Sequence, residues 1–124
     1  MFSHIMVGAD DLAEAKQFYD ATFGALGYKP GVEDPKGRIF YFTDSGIFAV
    51  TKPINGEPAS CGNGMTIGFA VESPAHGDAW HAAGLANGGT SCEDPPGVRS
   101  EMNMYLAYLR DPSGNKLCAL KQMG

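Results

Sequence analysis

One order of elements is written twice along this chain, and that repetition limits the available folds more than any single motif does. Phe2 to Gly8 is a short apolar strand carrying His4, and Asp10-Asp11 then offers a carboxylate cap to a helix. From Leu12, apolar or small residues recur at Ala15, Phe18, Tyr19, Thr22, Phe23 and Leu26, the spacing of one buried helical face, and Gly27 ends it. Three strand-like runs follow, around Tyr28 to Val32, Arg38 to Thr43 and Ile47 to Lys52, with Asp44-Ser45-Gly46 turning between the last two. The second half repeats this with a strand at Met65 to Val71, Ser73-Pro74 as cap and first helical residue, and a helix over Ala75 to Asn87. Gly88-Gly89 stops that helix, and strands are expected at Thr90 to Glu93, Met104 to Arg110 and Asn115 to Lys121.

The order βαβββ therefore occurs twice, offset by about 62 residues, as expected for two copies of a unit that cannot bury its sheet alone. The copies span about residues 1–56 and 65–124, and the turn-rich stretch at about 57–64 is the linker. Its Gly62-Asn63-Gly64 leads into a strand, whereas a phosphate-binding loop would open a helix. With 124 residues, 44% of them hydrophobic, the chain is expected to form one α+β domain over 1–124.

The charge pattern removes some classes of partner. The net charge is −5 and the nine Lys and Arg residues form no stripe that could follow a phosphate backbone, so no nucleic acid is expected. No amphipathic stretch has a basic face and no apolar run approaches membrane-spanning length, so no membrane partner is expected. Cys61, Cys92 and Cys118 contain no Cys-x-x-Cys pair, and the N-terminus lacks the features of a signal peptide. Reduced thiols and a cytoplasmic location are the expectation.

Asp111-Pro112-Ser113-Gly114-Asn115-Lys116 reads as a tight turn between the apolar runs Tyr105 to Leu109 and Leu117 to Leu120. This closing hairpin, the two βαβββ copies and His4 in the first strand together resemble the vicinal oxygen chelate superfamily, which includes glyoxalase I, extradiol dioxygenases and bleomycin-binding proteins. The resemblance covers the whole chain. It implies two half-barrels that enclose a concave cavity opposite the helices. Strand alternation then puts Phe2, His4 and Met6 on the cavity side and Ile5 and Val7 toward the helix. In the second copy Thr66, Gly68 and Ala70 take the cavity side, and Met65, Ile67, Phe69 and Val71 the helix side.

Metal-dependent members of that superfamily carry ligands, typically His and Glu, at four related positions. By resemblance these fall on His4, about Ala49, Thr66 and Cys118. His4 is the one ordinary ligand among them, while Cys118 would bind only as a thiolate with a soft or borderline ion. The expectation is a cavity made by His4, Met6, Thr66, Gly68, Arg99 and Cys118 that holds a small, partly apolar molecule without a complete metal site. No cofactor is expected. The alternative is a lyase or isomerase with a divalent zinc, nickel or iron ion, using His4 as base or ligand and Cys118 or Glu101 as substitute partner. A third reading is a dimerisation or partner-binding module, and the resemblance implies a homodimer.

Other side chains carry weaker expectations. His76 and His81 are five apart on the second helix, off a shared face, and read as solvated. Trp80 reads as core or dimer interface. Pro95 to Met104 reads as a polar loop in which Arg99 can hold an anion and Glu101 can supply a carboxylate. One parity of Phe40, Tyr41 and Phe42 is expected to line an apolar pocket.

Overall fold

The computed structural model describes all 124 residues. Its elements run β1 (His4–Gly8), α1 (Leu12–Ala25), β2 (Val32–Glu33), β3 (Ile39–Thr43), β4 (Gly46–Thr51), β5 (Ile67–Ala70), α2 (Pro74–Ala86), β6 (Thr90–Ser91), β7 (Gly97–Arg99), β8 (Met104–Arg110) and β9 (Lys116–Gln122). The first copy forms a four-stranded sheet ordered β1-β4-β3-β2, with β1 parallel to β4. The second forms a sheet ordered β5-β9-β8-β6, with β5 parallel to β9 and β7 also paired to β8. Both halves are thus α+β units of the repeat, and neither sheet closes into a barrel.

Helix positions follow from local chemistry. Asp11 Oδ1 accepts the Glu14 N–H at 3.0 Å, and Ser73 Oγ accepts the His76 N–H at 3.2 Å, so a side chain replaces the missing intrahelical partner at each N-terminus. α1 buries Ala15, Phe18, Tyr19, Thr22 and Phe23, the face that the sequence spacing predicts. α2 buries Gly77, Trp80, His81 and Gly84. A Cβ at Gly77 would lie 2.1 Å from the Tyr105 ring, so α2 rests on β8 at a distance that only glycine permits.

The two copies share one core. Phe23 of α1 packs edge-on against Phe69 of β5 at 5.2 Å between ring centroids, and Phe69 in turn meets Phe48 at 5.6 Å and Trp80 at 6.4 Å. The helices also pack against each other, and 18 buried residues from both halves form one cluster.

Several boundaries differ from the sequence reading. β2 lies at Val32–Glu33, not around Tyr28 to Val32: Pro30 has no N–H for a ladder, and the Gly31 N–H donates instead to Asp20 Oδ1 at 2.9 Å. β5 begins at Ile67, so Met65 does not face the helix; it is exposed and lies against Gly62 of the linker. The strand expected at Thr90 to Glu93 ends at Ser91, and the polar loop after it contains β7. His81 is not solvated but 8% exposed, with Nε2 3.1 Å from Ser91 Oγ. Burial holds the imidazole below its usual pKa, outweighing the opposing pull of the Tyr108 carbonyl and Asp78. The linker is tied down as well, with the Ala59 N–H donating to Asp10 Oδ1 at 2.7 Å.

Candidate functional site

Strand register fixes which residues share the open face of each sheet. His4 pairs with Ile47, Met6 with Ala49, and Ala49 with Phe40, so these side chains stand on the face away from the helices. Phe42 joins them, its ring 6.0 Å from that of Phe40 and nearly parallel. Tyr41 has the opposite parity and is 1% exposed; its hydroxyl donates to Asp20 Oδ1 at 2.8 Å. Burial alone would raise the Asp20 pKa, but the Gly31 N–H, Lys16 and the Tyr41 hydroxyl together hold it below the usual carboxylate value. On the second sheet Gly68 pairs with Cys118, and Cys118 with Tyr108, so all three share the open face. Ala70, Leu120 and Leu106 continue that row.

The six expected cavity residues are not gathered into one pocket. His4 and Gly68 line a cleft of about 310 Å³ at the seam between β1 and β5, floored by Phe23, Phe48 and Phe69. Arg99 lines a second cleft of about 480 Å³ with Glu93, Glu101, Leu106 and Tyr108. Met6 and Thr66 are exposed and line neither cleft, and Cys118 is buried. Phe2 is 68% exposed and lies outside β1, at the mouth of the seam cleft. His4 is exposed, its Nδ1 2.8 Å from Ser3 Oγ.

Arg99 is engaged by its own loop. Nη1 donates to the carbonyls of Pro95 at 2.9 Å and Gly97 at 3.0 Å, and Nη2 to that of Asp94 at 3.3 Å. The guanidinium therefore shapes the loop more than it offers itself to an anion. No residue pattern signals this, because the partners are main-chain carbonyls.

Cys118 is 5% exposed. Burial pushes its thiol up, a further rise comes from Glu93, and hydrogen bonds from Tyr108 and the Ala107 backbone together with Lys116 offset only part of it. The neutral thiol at ordinary pH is a poor nucleophile and a poor metal ligand. Two neighbours that the sequence reading missed complete this corner. Lys116 pairs with Glu93 and lies 5.3 Å over the Tyr108 ring. Lys116 and Cys118 are two apart on β9, a spacing that places both on one face; nothing in the sequence brings Glu93 to them.

The four positions that would hold a metal can be tested by their chemistry. Ala49 is fully buried and has no donor, Thr66 offers a neutral hydroxyl, Cys118 is a buried thiol, and His4 is a single imidazole. No three His, Cys, Asp or Glu side chains lie close enough together to hold an ion. The His and Glu donor set of metal-dependent relatives does not fit these residues.

Comparison with known proteins agrees with the architecture. A glyoxalase/bleomycin resistance protein from Albidiferax ferrireducens T118 is similar at 60% identity, covering 97% of each chain with a TM-score of 0.92. A glyoxalase-related enzyme from Fulvimarina pelagi shares 21% identity over 97% of this chain and 86% of its own, with a TM-score of 0.77. The lactoylglutathione lyase of Agrobacterium tumefaciens shares 22% over 97% of this chain and 92% of its own, with a TM-score of 0.66; these two likenesses concern the fold alone. No curated protein matches the chain. The family model for the Glyoxalase/Bleomycin resistance protein/Dioxygenase superfamily matches residues 1–119, and the chain belongs to that superfamily.

Proposed function

We propose that this protein binds a small, partly apolar molecule in the cleft between β1 and β5, without a metal ion. The observation that carries the reading is the composition of that cleft. Phe23, Phe48 and Phe69 give it an aromatic floor, and His4, Ser3 and Thr43 give it a polar rim. Such a lining favours a flat apolar body bearing one hydrogen-bonding group. His4, Ser3 and Thr43 can each donate a hydrogen bond to that group or accept one from it. The lyase or isomerase alternative finds no such support, because His4 and Glu101 line different clefts and Cys118 is a buried, neutral thiol. The three cysteines are unpaired, as suits the cytoplasmic setting we propose. No helix of the chain is long and apolar enough to cross a membrane.

The test is a thermal-shift screen of small apolar compounds, followed by isothermal titration of the hits on Gly68→Leu. An added Cβ at Gly68 meets nothing within 4 Å, so a larger side chain at this lining position is expected to narrow the cleft with no clash at its first carbon. Hits that bind the wild type and lose at least about tenfold in affinity on Gly68→Leu support the reading; hits indifferent to the substitution place the site elsewhere. Equilibration with zinc, nickel or iron forms a second arm. One tightly held ion per chain, lost in His4→Ala, would overturn the metal-free reading.

We also propose that the protein pairs with a second copy of itself. β1 and β5 each have a neighbour on one side only, and Met6 on β1 and Phe42 on β3 expose apolar surface on the open face of the first sheet. Light scattering at micromolar concentration tests this, and a monomer mass would refute it.

A further inference from the structure

Residues 92–103 contribute no buried side chain, yet several of them wall the second cleft. Left-handed backbone at residues other than glycine occurs twice in the chain, at Glu93 with φ 56° and at Asn103 with φ 51°, one near each end of this stretch. Between them the segment is bound to itself by Arg99, whose three hydrogen bonds to the carbonyls of Asp94, Pro95 and Gly97 make it a unit. Its ladder to the rest of the molecule is β7, in which Gly97, Val98 and Arg99 pair with Leu106, Tyr105 and Met104.

The two ends are held differently. The Asn103 carbonyl accepts the Met123 N–H at 2.9 Å and Gln122 Nε2 at 3.4 Å. Asparagine tolerates left-handed backbone, so this end is relaxed. Glutamate does not adopt it readily, and such a conformation persists where surrounding contacts enforce it. At Glu93 that contact is Lys116, whose ammonium pairs with the carboxylate above the Tyr108 ring. Hinges commonly sit at a few terminal residues of a loop that absorb the change in φ and ψ.

We propose that residues 94–102 form a hinged strap, latched at Glu93 by Lys116, which swings away from β8 to open the cleft above Leu106 and Tyr108. The strap lies at the second cleft, and its motion does not depend on what the seam between β1 and β5 binds. The latch is partly wet, with the Glu93 side chain 47% exposed and that of Lys116 22% exposed, so salt weakens it.

Amide hydrogen exchange without any ligand tests the latch. In Lys116→Met the amides of residues 97–99 that are bonded to β8 are expected to exchange about two- to fivefold faster, while those of Leu109 and Leu117 keep their wild-type rate. Wild-type protein in 1 M NaCl is expected to show the same selective acceleration, and this arm decides the matter if the variant does not fold. Exchange at 97–99 that is unmoved by salt and, where it folds, by Lys116→Met would overturn the proposal. Uncovering of the cleft is read by labelling a Leu106→Cys thiol in a Cys61→Ser, Cys92→Ser, Cys118→Ala background. A labelling rate that rises with salt in step with the amides supports opening; a rate independent of salt refutes it.

Discussion

Asp111 is 5% exposed and its carboxylate accepts four hydrogen bonds. The Tyr19 hydroxyl reaches Oδ2 at 2.6 Å, the N–H groups of Ser113 and Asn115 each reach Oδ1 at 2.9 Å, and Asn115 Nδ2 reaches Oδ2 at 2.9 Å. Asn115 Nδ2 also lies 3.2 Å from the Gly8 carbonyl, so two side chains of the closing turn hold α1 and the end of β1. Burial, followed by the neighbouring Asp111 charge, raises the Tyr19 pKa well above its free value, which keeps the hydroxyl a donor at any ordinary pH. Tyr19→Phe removes one donor from a buried carboxylate and is expected to cost about 1–3 kcal/mol in urea unfolding. Trp80 shows the opposite case: it is fully buried and its Nε1–H has no acceptor. Trp80→Phe therefore loses area but relieves an orphan donor, and its expected cost is below about 1.5 kcal/mol, against about 3–5 kcal/mol for Trp80→Ala. A Trp80→Phe cost equal to that of Trp80→Ala in the same unfolding assay would contradict this.

Among the elements, α2 carries the most demanding contacts. Gly77→Ala would drive a methyl into the Tyr105 ring and is expected to destabilise by about 1–3 kcal/mol, measured by the urea midpoint. Tyr105 also donates to Asp78 Oδ1 at 2.8 Å, so helix and strand are tied next to the point of closest approach. One turn on, His81 joins α2 to β6 in its neutral form. Its folded pKa lies below the free value of about 6.5, so its contribution is complete above that pH and is lost as the pH falls through the folded value. The loss of stability between pH 7.5 and pH 5 should accordingly be smaller in His81→Gln than in the wild type. An identical loss in both would show that His81 does not carry it. The sequence could not reveal this role, because Ser91 and the Tyr108 carbonyl approach His81 only once α2 has packed.

Across the whole molecule, the punctuation of the sequence placed the two helices and the long strands within about three residues, because caps, turn glycines and apolar spacing act locally. Face assignment along β1 and from Ile67 onward in β5 was readable for the same reason. What escaped was whatever depends on a distant partner: the short ladder of β7, the folding of Arg99 onto its own loop, and the meeting of Glu93 with Lys116. The six cavity candidates came from strand parity, from positions implied by the resemblance and, for Arg99, from a polar loop, and none of these says which sheet edge meets which. Both halves feed one aromatic core and share the Asp111 knot, so unfolding should be a single transition. Trp80 fluorescence and far-ultraviolet circular dichroism are expected to report the same urea midpoint, and separated midpoints would show that the halves unfold independently.

The Asp111 knot also separates two kinds of information held in adjacent residues. It secures the start of β9 through Tyr19, Asn115 and Gly8, and none of these bonds involves the side chain at 118. The turn can therefore set the architecture whichever side chain stands at position 118, here a buried thiol. In a chain built this way, the segment that best identifies the lineage is mute about its chemistry, and the strand face two residues beyond it is where a new activity could be installed.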